Sequence, residues 1–193
     1  MSGPLVLASA SPRRAQILRS LGVDFRVVVS GVEETLEPGE EAGAAAERLA
    51  RLKAGAVARL EPPPILGADT VVVCDGAILG KPASPEGARQ MLRLLSGRTH
   101  EVATGLCLVG PRSTHSGVER TAVTFATMSE AEIDGYVSTG EPLDKAGAYH
   151  VDGRVGLFVA SVAGSPSNVA GLPVRLLRRL AREAGLDLGP AWR

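Results

Sequence analysis

Leu5-Val6-Leu7-Ala8-Ser9-Ala10-Ser11-Pro12-Arg13-Arg14 reads as a strand, a polar turn and the start of a helix. Leu5 to Ala8 suit a buried strand. Ser11 is placed to cap a helix with Pro12 at its first position, where the missing N–H costs nothing. The Ser9 and Ser11 hydroxyls, the free N–H groups of the helix start and the guanidinium groups of Arg13 and Arg14 are then expected to converge on one point. That combination suits an oligophosphate or a carboxylate. The competing reading is a solvated turn carrying two surface arginines.

Working outward, Ala15 to Leu21 has apolar residues at helical spacing and stops at Gly22. Phe25 to Val29 reads as a strand, followed by a polar loop, Ser30 to Thr35, that carries Glu33 and Glu34. Glu40 to Leu60 predicts a helix in which Lys53 lies beside the apolar stripe of Ala46, Leu49 and Leu52. Ile65 to Cys74 is the most strand-like segment of the chain, and Asp75-Gly76 turns it into a second strand, Ala77 to Leu79. Ser84-Pro85 opens a helix ending at Ser96-Gly97. Thr99 to Val109 and Ser116 to Met128 alternate like an antiparallel pair, and Ser129 with Glu132 forms a capping box for a helix to about Thr139. Gly140 to Tyr149 reads as a long loop entering a strand. Leu157 to Val162 is a further strand and Val174 to Ala184 a closing helix. Neither a repeat nor a linker divides the sequence, so residues 1–193 are expected to form a single domain.

Twenty-one acidic residues balance 21 basic ones, which argues against a nucleic-acid polymer or an anionic membrane as a bulk partner. No run approaches the ~20 apolar residues of a membrane span, and the first residues lack the layout of a signal peptide, so a cytoplasmic location is the expectation. Cys74 and Cys107 sit in strand-like runs without metal-ligand spacing and read as buried free thiols. Of the basic residues, 18 are arginines, and only Lys53, Lys81 and Lys145 are lysines. A sequence that uses Arg wherever either residue serves is expected to keep Lys where a compact ammonium is needed.

Asp69 is the central candidate, because an acid inside Leu66 to Val73 either lies at the mouth of a cleft or is buried at a cost unless paired. It reads as a general base or metal ligand, against the alternative of a carboxylate bonding backbone N–H groups at a strand break. Thr70 adds a hydroxyl beside it. Gly80-Lys81-Pro82 is not a phosphate loop: the spacing from Gly76 is one residue short and Pro82 replaces the required Ser or Thr. Lys81 instead falls across a hairpin from Asp69, within reach of the same cleft. His100, His115 and His150 lack the spacing of a His-based metal site, and His150 and Asp152 read as neighbours on one strand. Ser9 and Ser11 lack the surroundings of a nucleophile elbow.

Six stretches, in order, resemble the motifs of the Maf-like nucleoside triphosphate pyrophosphatases. They are Ser9 to Arg14, Gly67 to Val72, Gly80 to Pro82, Leu95 to His100, Glu141 to Tyr149 and Ser167 to Pro173. The resemblance covers nearly the whole chain. It implies an α/β fold related to the inosine triphosphate pyrophosphatases, with an elongated mixed β-sheet flanked by helices and a cleft between two lobes. It also implies a homodimer that hydrolyses a nucleoside triphosphate to monophosphate and pyrophosphate with a divalent metal cation, Mg²⁺, Mn²⁺ or Co²⁺. Asp69 matches the proton acceptor, with Lys53 and Lys81 beside it. Ser9, Arg13, Arg14, Lys53 and Lys81 match residues around the phosphates, and Glu34 matches an acid that partners metal or water, making Asp69 and Glu34 the metal candidates. Arg13 and Thr70 resemble the branch that acts on dTTP and UTP, whereas a branch preferring 7-methyl-GTP has Trp and Gln at those positions. Asp152 departs from both, which have Gln and Glu there; an ionised Asp is shorter than either and offers a base edge no donor. The alternatives are the 7-methyl-GTP activity and a nucleotide-binding regulator of septum formation with little turnover. Asp69, Lys53 and Lys81 together favour an enzyme, since binding alone needs no carboxylate beside a polyanion.

Overall fold

The computed structural model describes residues 3–37 and 39–189. Seven strands form one mixed sheet: β1 (Leu5–Ala8), β2 (Phe25–Val27), β3 (Ile65–Cys74), β4 (Ala77–Leu79), β5 (Thr99–Val109), β6 (Thr114–Phe125) and β7 (Val159–Ala163). The order is β2-β1-β3-β5-β6-β7, with β4 added to β3. β1 pairs in parallel with β2 and β3; the other pairings are antiparallel. Among the described residues six helices flank the sheet: α1 (Pro12–Ser20), α2 (Ala42–Val57), α3 (Pro85–Leu95), α4 (Glu130–Ser138), α5 (Pro166–Val169) and α6 (Val174–Glu183). Among the described residues, no helix is long and apolar enough to cross a membrane.

Among the described residues helix α2 alone covers the centre of one face, and it comes unusually close because glycines lie beneath it. A Cβ on Gly67 would stand 2.2 Å from the Ala50 carbonyl oxygen, and one on Gly105 would stand 2.3 Å from that of Ala46. The alanines of α2 complete this contact, with Ala46, Ala50 and Ala54 fully buried. The opposite face carries two separate apolar clusters. In one, α1 and α6 pack on Leu66, Ala68, Leu106 and Leu108. In the other, α3 and α4 pack around Val72, Val102, Val123 and Phe125. The cross-strand pair Thr70 and Thr104 falls between them, so a polar seam divides the face into two lobes.

Local chemistry accounts for most element ends. Asp75 and Gly76 both adopt positive φ, 49° and 79°, as a two-residue hairpin matching the strand twist requires. Ser84 Oγ accepts from the Gly87 N–H, and Ser129 and Glu132 form the full capping box. The ends expected from sequence shift in several places: β2 stops at Val27, α2 is shorter at both ends, and β6 ends at Phe125. The largest difference lies beyond Gly140. Instead of a strand entered at Tyr149, residues 141–144, 146–148 and 154–157 form three single 3₁₀ turns. Gly147, at φ 69°, donates its N–H to the Gly80 carbonyl and breaks any extended run. His150 and Asp152 accordingly lie on turns, not on one strand.

Candidate active site

A notch in the sheet makes the cleft. β1 ends at Ala8 opposite Gly67, and β4 starts pairing with β3 only at Val72. Among the described residues, Ala68 to Val71 therefore have no strand on that edge, while β5 covers the other. Successive strand side chains point to opposite faces. Asp69 turns toward α2 and Thr70 toward α1 and α5, yet both line one cleft of about 590 Å³.

On the α2 side, Lys53 Nζ lies 2.6 Å from Asp69 Oδ1 and 2.7 Å from Glu34 Oε1. Lys81 Nζ approaches Glu34 Oε2 from the solvent side at 3.7 Å. Lys53 and Asp69 are each only 5% exposed. Burial is the largest influence on the Asp69 carboxyl and raises its pKa above the ordinary value, against the opposing pull of Lys53 and Arg14. Burial also raises that of Glu34, but the hydrogen bond from Lys53 and the charges of Lys53, Lys81 and Arg14 together bring it below the ordinary value. The sequence placed Lys53 beside the apolar stripe of its helix; the structure brings its ammonium between two acids.

Among the described residues, no three His, Cys, Asp or Glu side chains are grouped as a ready-made metal cage. Two carboxylates on one cleft wall nonetheless fit a hard divalent ion, which is commonly held by one or two carboxylates together with substrate phosphates and water. Lys53 takes only Oδ1 of Asp69, and Oδ2 has no hydrogen-bond partner among the described residues. Asp69 and Glu34 are the residues that would hold such an ion.

Arg13 and Arg14 do not converge. Arg14 is buried, with Nε donating to the Gly171 carbonyl at 2.8 Å and Nη1 to Ser9 Oγ at 2.9 Å and the Ala68 carbonyl at 3.0 Å. Its Nη2 donates to Thr70 Oγ1 at 3.0 Å. This fork ties the turn after β1 to the free edge of β3 and to the loop after α5. Arg13 points elsewhere, its Nη1 2.7 Å from Asp152 Oδ2. Ser11 does not cap α1; its own N–H donates to Ser9 Oγ at 3.2 Å. The cap fails because the Ser9 hydroxyl, held by Arg14, draws the turn back on itself.

Ser9, Ser11, Arg13 and Arg14 thus line the cleft together with Glu34, Lys53, Asp69, Thr70 and Lys81. Asp152 is not part of its wall: its carboxylate is well exposed and engages Arg13. Sequence reading did not single out Tyr149 or the Gly171 carbonyl as site groups. Their signal was membership of the Glu141 to Tyr149 and Ser167 to Pro173 motifs, without a chemistry attached. Lys145 also lines the cleft, so all three lysines of the chain meet there. On the Thr70 side, Val72, Val102, Tyr149 and Val169 give the wall an apolar stretch. The cleft therefore combines a charged cluster with an apolar stretch, as a ligand with a polyanionic end and a flat organic end requires.

A family model described as Maf-like protein matches residues 4–184. The dTTP/UTP pyrophosphatase of Myxococcus xanthus is 49% identical over 190 residues, covering 98% of this chain and 95% of its own. That of Koribacter versatilis is 48% identical over 183 residues, covering 94% and 95%. Among solved structures, the Ham1 protein of Staphylococcus aureus superposes with a TM-score of 0.49 at 14% identity, covering 94% of this chain and 97% of that one. With a family model matched from the first strand through the last helix, and nearly half the residues shared with relatives along almost their full length, the chain belongs to the Maf-like protein family.

Proposed function

We propose that this chain is a nucleoside triphosphate pyrophosphatase that cleaves dTTP and UTP to the monophosphate and pyrophosphate. The observation that carries the reading is the cluster of Lys53, Asp69, Glu34 and Lys81 in a cleft that also carries an apolar stretch of Val72, Val102, Tyr149 and Val169. The triphosphate lies on the charged cluster and the pyrimidine on the apolar stretch, the chain of the nucleotide passing through the notch beside Ala68 to Val71. Relatives named dTTP/UTP pyrophosphatase support the substrate class.

Phosphoryl chemistry of this kind needs positioning and charge neutralisation more than a covalent nucleophile. A water attacks the α-phosphorus, its proton passes to Asp69, and pyrophosphate leaves with the electron pair of the broken P–O bond. The raised pKa of the buried Asp69 carboxyl suits it to take that proton. Lys53 holds Asp69 in place and Lys81 faces the phosphates. Ser9, Ser11 and Arg13 stand at the turn where the chain of phosphates ends, while Arg14 braces that turn. A divalent ion, Mg²⁺, Mn²⁺ or Co²⁺, held by Asp69 and Glu34 would neutralise charge on the reacting phosphate. The same reading has the chain acting as a single domain, as a homodimer in the cytoplasm, with no nucleic-acid polymer as partner.

The test is product analysis with Mg²⁺ and dTTP or UTP. Pyrophosphate and monophosphate are expected in equal amounts. Orthophosphate and diphosphate would place attack at the γ-phosphorus and refute the mechanism.

A further inference from the structure

We propose that Thr104 and Asn168 are positioning residues that fix the direction of the Thr70 hydroxyl, so that the cleft meets it as a hydrogen-bond acceptor and a pyrimidine is selected by its imide N–H. The inference rests on the nucleotide reading above and deepens it.

Three oxygens stand in a row at the polar seam between the lobes. Thr70 Oγ1 is 3.0 Å from Thr104 Oγ1, which is 3.1 Å from the Asn168 backbone carbonyl. A carbonyl cannot donate, so the single proton of Thr104 goes to Asn168. Thr104 then has none to offer Thr70, and the contact between the two hydroxyls must carry the Thr70 proton. Any other arrangement leaves two oxygens at hydrogen-bond distance with no proton between them. Thr70 also accepts from Arg14 Nη2. Its proton and one lone pair are thereby taken, and the remaining lone pair is what the cleft-lining oxygen presents to a ligand.

The far end of the row is rigidly held. Thr104 and Asn168 are completely buried. Asn168 Nδ2 donates to the Val102 carbonyl and to Thr121 Oγ1, both at 2.9 Å. Thr121 Oγ1 in turn accepts from the Ser165 N–H at 3.0 Å. The carbonyl that orients Thr104 is therefore fixed to β5 and β6 through the side chain of its own residue, and α5 cannot turn it away.

An acceptor on the wall of a pyrimidine site discriminates by chemistry. Uracil and thymine carry a donor at N3, whereas cytosine has a lone pair there. A site built to bond an N–H rejects an analogue lacking it far more strongly than one that differs only in bulk. Thr104→Val retains the shape and removes the proton relay, freeing the Thr70 hydroxyl to rotate and donate. Thr104→Ser retains the relay.

The experiment compares UTP with CTP by kcat/KM, and UMP with CMP by calorimetry, in the wild type and both variants. The wild type is expected to favour the uracil nucleotide by about tenfold or more. Thr104→Val is expected to lose most of that ratio, mainly through KM, while Thr104→Ser keeps it. Loss of stability alone would lower both substrates together and leave the ratio unchanged. An unaltered ratio in folded Thr104→Val overturns the proposal, and so does equal affinity of the wild type for UMP and CMP, which decides the matter even if the valine variant does not fold. Failure of the wild type to release pyrophosphate from any pyrimidine triphosphate would instead refute the proposed activity, with the monophosphate affinities still testing the acceptor.

Discussion

Arg14→Lys keeps the positive charge and removes the fork, so it separates a brace from a phosphate ligand. Arg14 reaches four acceptors in three directions, on Ser9, Ala68, Thr70 and Gly171. An ammonium on a flexible stem is a point charge and can serve about two of them at once. Two charge-assisted bonds at about 1.5–3 kcal/mol each are lost, partly offset where water enters the cleft wall, leaving an expected destabilisation of about 2–4 kcal/mol. For a chain of this length that lowers Tm by roughly 5–15 °C, measurable by differential scanning calorimetry without nucleotide. Turnover falls with it, because the turn carrying Ser9 and Arg13 is no longer held to the edge of β3. An unchanged Tm in the absence of nucleotide, with activity lost, would refute the bracing role and return Arg14 to direct contact with phosphate.

Asp69→Asn is expected to reduce kcat by about 10²–10⁴-fold with little change in secondary structure, read by pyrophosphate release and circular dichroism; strong turnover in the folded variant would leave Asp69 a purely structural role. His100 gives a pH signature away from the cleft. It is 3% exposed, packed edge-on against Phe125 and Tyr149, and burial lowers its pKa to about 4. The unfolded chain takes up a proton near pH 6.5 that the folded chain refuses until about pH 4, so stability from this group is full above pH 6.5 and falls as pH drops through that window, by about 3 kcal/mol in all. Chemical denaturation of His100→Phe between pH 7 and pH 4 should lose correspondingly less stability than the wild type, even though Tyr149 gives up its bond to His100 Nε2.

Much of this architecture was legible because its signals are local. The Asp75-Gly76 turn, the Ser129 and Glu132 capping box and the strand containing Asp69 need only neighbouring residues to be read, and they stand where expected. The pairing of Asp69 with Lys53 was half legible: helical spacing placed the lysine at the edge of the buried stripe, but its carboxylate could not be chosen without knowing which strand α2 crosses. The separation of Arg13 from Arg14 was hidden for a similar reason. Adjacent helical residues do not share a face, and which of the two turns inward depends on Gly171, 157 residues away from Arg14. The loop from Gly140 to Tyr149 stands as expected, but the strand expected beyond it does not form, because Gly147 and its contact to Gly80 fold the chain into turns. Thr104 gave no signal, and Asn168 only its place in the Ser167 to Pro173 motif without a chemistry attached, since both gain meaning only from the register that sets Thr104 opposite Thr70.

The register also puts Gly105 directly opposite Asp69. With no side chain there, and none at Gly67, the backbone of α2 sinks onto the sheet at the one place where its lysine must reach an acid. The two glycines thereby act as a depth gauge for the ammonium. They decide how far Lys53 extends before it meets Asp69, and a single methyl group on the floor of the sheet would be transmitted as a lengthened ion pair on the wall of the cleft, without any change to a residue that touches substrate.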